Sequence, residues 1–397
     1  MIITGSRGEY GYIRPIIKGM DNYDNLEYII VATNMLLAPE FGYAINNFYR
    51  DNIDVRYKIE MSMSGYSNSS MTKSLGIFLQ SLTDIVSNDK PDVKLLAGDR
   101  SEQLVGAIVG AHMNIPVAHI QAGELSGNID GMSRHAITKF GHIHFASNLD
   151  AKQRLLNMGE QEFRVFNTGA PQLDEFCNYN YLTKDELYDE FSLNKEHEFC
   201  LLVQHPVTEE SSDSENQMNI TLSAIINSGI QTVLIYPNND AGSTGIQNAI
   251  DDSNLTNIHI RRNVDREFYA NLMKHASFLI GNSSSSILEA PTFELPAINI
   301  GRRQNGRLQA KNIINVDFDV VEINKAILKA RDLNFKNGLK GLKNPYGDGQ
   351  SSLRILDILE NLVVDENLLN KQLNFSELSM GMSSDYEIAI EEGATRV

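Results

Sequence analysis

The sequence predicts an α/β protein of two Rossmann-like domains facing a central cleft, and three observations predict it. Short apolar runs alternate with helix-period segments from one end of the chain to the other. That alternation lapses over residues 175–197 and then starts again. At 397 residues and 42% hydrophobic, the chain can bury two cores of ordinary size.

Taken in order, Ile2-Ile3-Thr4 reads as a first strand and Tyr28-Ile29-Ile30-Val31-Ala32 as a second. Between 71 and 86, Leu75, Phe78, Leu79, Leu82 and Ile85 recur at helical spacing. The runs 92–98, 116–120, 142–147 and 163–169 each end in a polar or glycine turn, with helical stretches between them. This is the βαβ rhythm of a parallel sheet covered on both faces. Residues 175–197 are charged, partly helical and strand-free, and read as the interdomain connection. The runs 199–206, 232–238, 257–262, 277–282 and 296–301 then repeat the rhythm, and a helix over 351–363 closes it. The expected division is a first domain over 1–175 and a second over 176–345. A closing helical segment, 346–364, packs back toward the first domain, and 365–397 form an appended tail. Open α/β sheets bind ligands beyond the carboxyl ends of their strands, so chemistry belongs in the turns that follow them.

Composition excludes several classes. With 51 acidic against 34 basic residues and a net charge of −17, the balance argues against a nucleic-acid binder, which would present a basic face to phosphates. Cys177 and Cys200 stand in no metal-ligand spacing, which argues against a zinc site or disulfide framework and fits a reducing compartment. The opening MIITGSRGEYG lacks a signal-peptide pattern, and no stretch approaches the roughly 20 apolar residues of a membrane helix. The expectation is a cytoplasmic protein with no membrane or nucleic-acid partner.

Several turns carry residues suited to chemistry. In Thr4-Gly5-Ser6-Arg7-Gly8, backbone N–H groups at a helix start attract an anion and Arg7 adds a full charge. A tight glycine turn with a surface arginine fits the same residues. Gly98-Asp99-Arg100 puts a carboxylate and a guanidinium at a strand's carboxyl end, where Asp99 would serve equally as a helix cap. The run HIQAGELSGNIDGMSRHAITK (119–139) is the densest. Its Gln121, Glu124, Asp130, Arg134 and His135 sit on a glycine-punctuated loop leading into a helix. Carboxylates beside an arginine shift one another's pKa and divide acid and base duties, although a polar loop capping the next helix has the same composition. His205 ends a strand and points into the cleft if that strand is real; a lone histidine is more often structural. Asn282, Ser283 and Ser284 open a helix that contains Glu289, an arrangement that suits either a diphosphate or an over-provided helix cap. Arg302, Arg303 and Arg307 lie on a glycine-flexed loop, a polyphosphate clamp or a solvated loop.

With these residues in hand, the chain resembles the hydrolysing UDP-N-acetylglucosamine 2-epimerases of sialic-acid biosynthesis over roughly residues 1–363. The resemblance rests on TGSRGEYG, GDR, HIQAGELSGNIDGMSRHAITK, QHP, YPNNDAGS, IGNSSSSILE, GRRQNGR and NPYGDG. It implies a glycosyltransferase-B-like fold, no metal or redox cofactor, UDP and a UDP-sugar as ligands, and a homodimer or homotetramer. It also implies a reaction: a base takes the proton from sugar C2 as UDP leaves C1, and water and a proton then add to the glycal. By resemblance Asp99, Asp130 and His205 are acid–base positions. Arg7, Arg100, Arg134 and His135 are substrate contacts of the first domain. Ser283 and Ser284, beside Asn282, correspond to diphosphate-binding serines, Glu289 to the ribose-binding acid, and Arg303 and Arg307 to the basic loop. Asn239 and Asp240 lie on the nucleotide-domain rim.

One departure affects the chemistry. Many relatives carry glutamate where this chain has Gln121, and a glutamine cannot shuttle a proton. The duty is expected to pass to Glu124 or Asp130, with Gln121 hydrogen-bonding the sugar. Similar enzymes act on a 4-acetamido-6-deoxy relative of the sugar, in legionaminic-acid synthesis, and YPNND and QNGR resemble that branch as well. A glycosyltransferase of the same fold and a non-catalytic nucleotide-sugar sensor are the other readings. The acid-rich 119–139 loop disfavours the first, and the joint presence of Asp99, Asp130 and His205 the second. Residues 376–397 (SELSMGMSSDYEIAIEEGATRV) are similar to the end of the PLP-binding homeostasis proteins, but a fragment without that barrel and its lysine is expected to bind no PLP.

Overall fold

The computed structural model describes residues 1–39, 42–63, 68–125, 128–177, 179–237, 242–253 and 257–374. Asn239, Asp240 and the PLP-like segment lie outside the described residues. The chain divides into two compact units. One is formed by Met1–Asp174 with the described residues from Gly349 onward, the other by Glu175–Asp348.

The first unit holds β1 (Ile2–Thr4), β2 (Ile30–Thr33), β3 (Tyr57–Ile59), β4 (Lys94–Ala97), β5 (Val117–Ile120), β6 (Ile143–Ala146) and β7 (Val165–Asn167). They form one parallel sheet in the order β3-β2-β1-β4-β5-β6-β7. The second unit holds β8 (Phe199–Val203), β9 (Gln231–Ile235), β10 (Ile258–Arg261), β11 (Leu279–Gly281), β12 (Ala297–Ile300) and β13 (Ile313–Val316). Its parallel order is β10-β9-β8-β11-β12-β13. In each sheet the order reverses beside the unit's first strand, between β1 and β4 and between β8 and β11. Such switch points open a crevice at the strands' carboxyl ends.

The sequence rhythm did not anticipate β3 and β13. Both are edge strands whose residues are partly or fully exposed along much of their length, unlike β1, β4, β5 and β6, which are buried throughout. Helix Arg7–Met20 buries Tyr10, Ile13, Ile16, Ile17 and Met20 in a core shared with Ile355 and Leu356 of helix Ser351–Glu360. A side chain at Gly19 would place its Cβ 2.6 Å from Leu356 Cδ1, so glycine permits that approach. Asp174 caps the start of helix Ser351–Glu360, accepting from Ser351 N at 3.0 Å and from Ser352 N and Oγ at 2.6 Å.

The segment that the strand rhythm leaves out is fastened to the first unit as far as Asn374. Leu368 enters its core. Arg164 donates to the carbonyls of Leu368 and Asn367, both at 2.6 Å, and Asn374 N donates to Gly159 O at 2.7 Å. Lys371 Nζ donates to the Thr138 and Gly141 carbonyls and pairs with the fully buried Glu160 at 2.5 Å. Among the described residues, no helix is long and apolar enough to cross a membrane, and no group of three or more histidine, cysteine or acidic side chains is placed to hold a metal ion.

Candidate active site

Each unit places the sequence's chemical residues in turns and helix starts that follow its strands, some of them at its switch point. In the first unit, β1 runs into Gly5-Ser6-Arg7 and β4 into Gly98-Asp99-Arg100. Gly98, at φ +86°, turns the chain so that Arg100, not Asp99, occupies the N-cap position of helix Ser101–His112, with no side-chain capping bond. Asp99 is paired with Arg134, 2.5 Å from Nη2. Arg134 is only 3% exposed, and its Nη1 donates to the Gln121 carbonyl at 2.5 Å. One guanidinium therefore fastens the turn after β4 to the turn after β5. Gln121 has φ +59°, and Arg154 Nη1 donates to Gly123 O at 2.6 Å, so the loop after β5 is held from two sides.

Asp130 stands on helix Asn128–Phe140, half-buried. Burial raises its pKa, and the Asp99 charge raises it further against the opposing pull of Arg100 and Arg134. Asp99, Asp130, Arg100 and Arg134 thus share one electrostatic neighbourhood. His135 follows on the same helix, its pKa lowered by burial and then by Arg134 and Arg154; among the described residues its buried Nδ1 has no hydrogen-bond partner. Glu124 is placed differently. Its carboxylate is buried and accepts from Ser147 Oγ and from Asn148 Nδ2 at 2.7 Å, while Asn148 caps helix Leu149–Asn157. These bonds anchor the loop to the end of β6.

The turn after β1 departs from the picture of free N–H groups awaiting an anion. Gly5 N and Ser6 N donate to Glu9 Oε2 at 2.6 and 3.2 Å, so a carboxylate of the protein already occupies them. Arg7 stays exposed beside them. The Ser6–Glu9 capping box explains this local geometry and was legible as S-R-G-E. Burial, and then the neighbouring Glu102, pushes the Glu9 pKa up to about 8. Glu102, also buried, accepts from Asn34 Nδ2 and lies 3.6 Å from Arg100 Nε. His119, fully buried, bonds Gly98 O at 2.6 Å through Nε2. Sequence reasoning did not pick out Glu9, whose capping box is local, nor Glu102, Asn34 or His119, whose roles depend on which strands become neighbours.

In the second unit, β8 runs into Gln204-His205 and β11 into Asn282-Ser283-Ser284. The Asn282 side chain accepts from His205 N at 2.7 Å and donates to His205 O at 2.8 Å. One N–H and one lone pair of its amide thus fix the His205 backbone. Gly281 is required here, because at φ +126° a Cβ would lie 2.1 Å from Val203 O. Ser283 Oγ accepts from Ser285 Oγ at 2.9 Å, and Tyr269, its hydroxyl pKa raised by burial, bonds Ser285 Oγ at 2.5 Å. Tyr269 is a further residue that sequence reasoning missed.

The helix expected to contain Glu289 is short. It spans Ser285–Leu288, and Glu289 is its C-cap, because Pro291 starts a 3-10 turn over Ala290–Phe293. Burial raises the Glu289 pKa against the pull of Arg266 and Arg307. Gly301 and Gly306, at φ +70° and +79°, shape the loop between them. On it Arg303 Nη1 donates to Asn282 O at 3.3 Å and Arg307 Nη1 to Gln304 Oε1 at 3.2 Å. Arg302 instead pairs with Glu210.

Two parallel-sheet units, each with a switch point and polar turns at the carboxyl ends of its strands, define a glycosyltransferase-B-like α/β protein. A solved structure of the Neisseria meningitidis UDP-GlcNAc 2-epimerase bound to UDP-GlcNAc superposes with a TM-score of 0.78 at 18% identity, covering 90% of this chain and 98% of that one. The family model described as UDP-N-acetylglucosamine 2-epimerase matches residues 18–360, and the chain belongs to that family. A Legionella pneumophila UDP-N,N'-diacetylbacillosamine 2-epimerase (hydrolyzing) is 34% identical over 93% of this chain and 97% of its own. A Neisseria meningitidis UDP-N-acetylglucosamine 2-epimerase is 32% identical over 84% of this chain and 87% of its own.

Proposed function

We propose that the protein is a hydrolysing 2-epimerase that converts UDP-N-acetylglucosamine and water to N-acetylmannosamine and UDP. The observation that carries this reading is the cluster of Asp99, Asp130, Arg100 and Arg134 at the first unit's switch point. Removing a proton from sugar C2 while the C1–oxygen bond breaks leaves a C1–C2 double bond and free UDP. Adding hydroxyl at C1 and a proton at the opposite face of C2 gives the epimer. The sequence is redox-neutral, so it needs acids and bases rather than an electron carrier. Asp130, whose pKa burial and the Asp99 charge raise, is suited to the acid's part, and Asp99, oriented by Arg134, is suited to act as its partner. On the second unit, His205, held through its backbone by Asn282, is the assigned acid–base residue. Ser283, Ser284, Arg303 and Arg307 are assigned to the diphosphate, Glu289 to the ribose, and Arg7, Gln121 and His135 to the sugar side.

The Legionella relative favours a second reading, in which the sugar is the 2,4-diacetamido-2,4,6-trideoxy analogue. Gln121 suits either sugar, since an amide both donates to and accepts from an acetamido group. Product analysis with the two sugar nucleotides in parallel separates these readings. Transfer to an acceptor without epimerisation, or tight binding without turnover, would instead favour a transferase or a sensor. The epimerase reading carries with it a cytoplasmic homodimer or homotetramer.

A further inference from the structure

We propose that Glu102 is a positioning residue that holds Arg100 toward the substrate, at the end of a relay running along the carboxyl edge of the first sheet. This rests on the epimerase reading, in which Arg100 contacts the sugar nucleotide.

The relay follows the strand order. Ser62, beyond β3, donates to Asn34 Oδ1 at 3.1 Å. Asn34, beyond β2, donates through Nδ2 to Glu102 Oε1. Gly5, beyond β1, backs the Glu102 carboxylate so closely that a Cβ there would lie 2.9 Å from Oε1. Glu102 and Arg100 come from the turn beyond β4, with Oε2 3.6 Å from Nε. Four consecutive strand ends, β3-β2-β1-β4, thus contribute one link each. Asn34 sits at φ +49°, a left-handed conformation that asparagine tolerates better than most residues, and this turns its amide into the row.

Glu102 is only 2% exposed, whereas the Arg100 side chain is 37% exposed. A buried carboxylate is costly unless compensated, and the Asn34 amide and the Arg100 charge supply the compensation. Among the described residues the buried Arg100 Nε has no hydrogen-bond partner, and Nη2 meets the Met35 sulfur at 3.4 Å. The guanidinium is therefore steadied on one flank without being captured by a bidentate carboxylate. An arginine so placed keeps donors for an anionic ligand.

The test is a double-mutant cycle on the full chain with Glu102→Gln and Arg100→Ala. kcat and KM are measured for turnover, and Kd for the intact sugar nucleotide by calorimetry. Glu102→Gln keeps the shape and the Asn34 hydrogen bond but removes the charge. Each single change is expected to lower kcat/KM by about tenfold or more, and the double variant to be no worse than Arg100→Ala, as expected for residues acting as one unit. Asn34→Gly retains the left-handed backbone and removes the amide; it is expected to weaken the enzyme in the same direction but less. If Glu102→Gln costs the same factor with Arg100 already absent, or costs nothing while the protein stays folded, the relay is wrong. A wild type that turns over neither sugar would overturn the epimerase reading instead, and the cycle would then be judged on Kd alone. No binding of either sugar nucleotide to the wild type would overturn both.

Discussion

Asp99 and Asp130 show how far residue-level reading reaches. Two carboxylates within each other's field, flanked by Arg100 and Arg134, are suited to divide proton donor and acceptor duties. Asp99→Asn and Asp130→Asn are each expected to lower kcat by about 10²- to 10⁴-fold while UDP affinity changes little, checked by steady-state kinetics and calorimetry. Near-normal turnover of Asp130→Asn would remove it from the proton chemistry. Glu124→Gln is expected to act mainly on stability, because Ser147 and Asn148 both donate to its carboxylate; a thermal-unfolding series alongside kinetics separates the two effects. GDR and the 119–139 run could be picked out because strand-then-turn punctuation puts them at carboxyl ends. Glu102 and Asn34 could not, because only the order β2-β1-β4 brings them together.

At the scale of the element, the segment 365–374 is the least expected feature. It has no periodicity to display, since it holds on through backbone carbonyls, one buried leucine and one lysine. Leu368→Ala is expected to cost roughly 2–4 kcal/mol in chemical denaturation, as for other buried leucines. The Lys371 contact makes a pH prediction. Burial works to raise the pKa of Glu160, but His144 and Lys371 outweigh it and hold it at about 2, below its ordinary 4.5. Its ionised form therefore favours the fold, a contribution complete above pH 4.5 and lost as pH falls toward 2. His144, pushed down to about 4 chiefly by burial, is neutral in the fold, so uptake of a proton by the unfolded chain below pH 6.5 adds to acid lability. Glu160→Gln is expected to lower stability at pH 7 by about 3 kcal/mol and to flatten its fall below pH 4.5, measured by urea unfolding across the range. An unchanged slope would contradict the assignment. The edge strands β3 and β13, partly or fully exposed along much of their length, also went unread.

For the whole molecule, the restart of the strand rhythm after 175–197 reflects two real units, each with its own sheet and core. The chain returns to the first unit through Asp174, which caps helix Ser351–Glu360; such a long-range contact leaves no local mark in the sequence. Assigning the diphosphate to the second unit has a thermodynamic consequence. UDP at about 100 times its Kd should stabilise the fold by about 2.7 kcal/mol, and Arg303→Ala with Arg307→Ala should abolish the gain at the same concentration, read from the shift in Tm.

The central claim is proton chemistry at sugar C2 coupled to loss of UDP. Proton NMR of the purified protein with UDP-N-acetylglucosamine in D₂O tests it most directly, with the 2,4-diacetamido-2,4,6-trideoxy analogue run alongside. The expected result is free UDP together with a free sugar of inverted C2 configuration that carries deuterium at C2. Both sugar nucleotides remaining intact, or a released sugar that keeps its C2 proton and configuration, would contradict it.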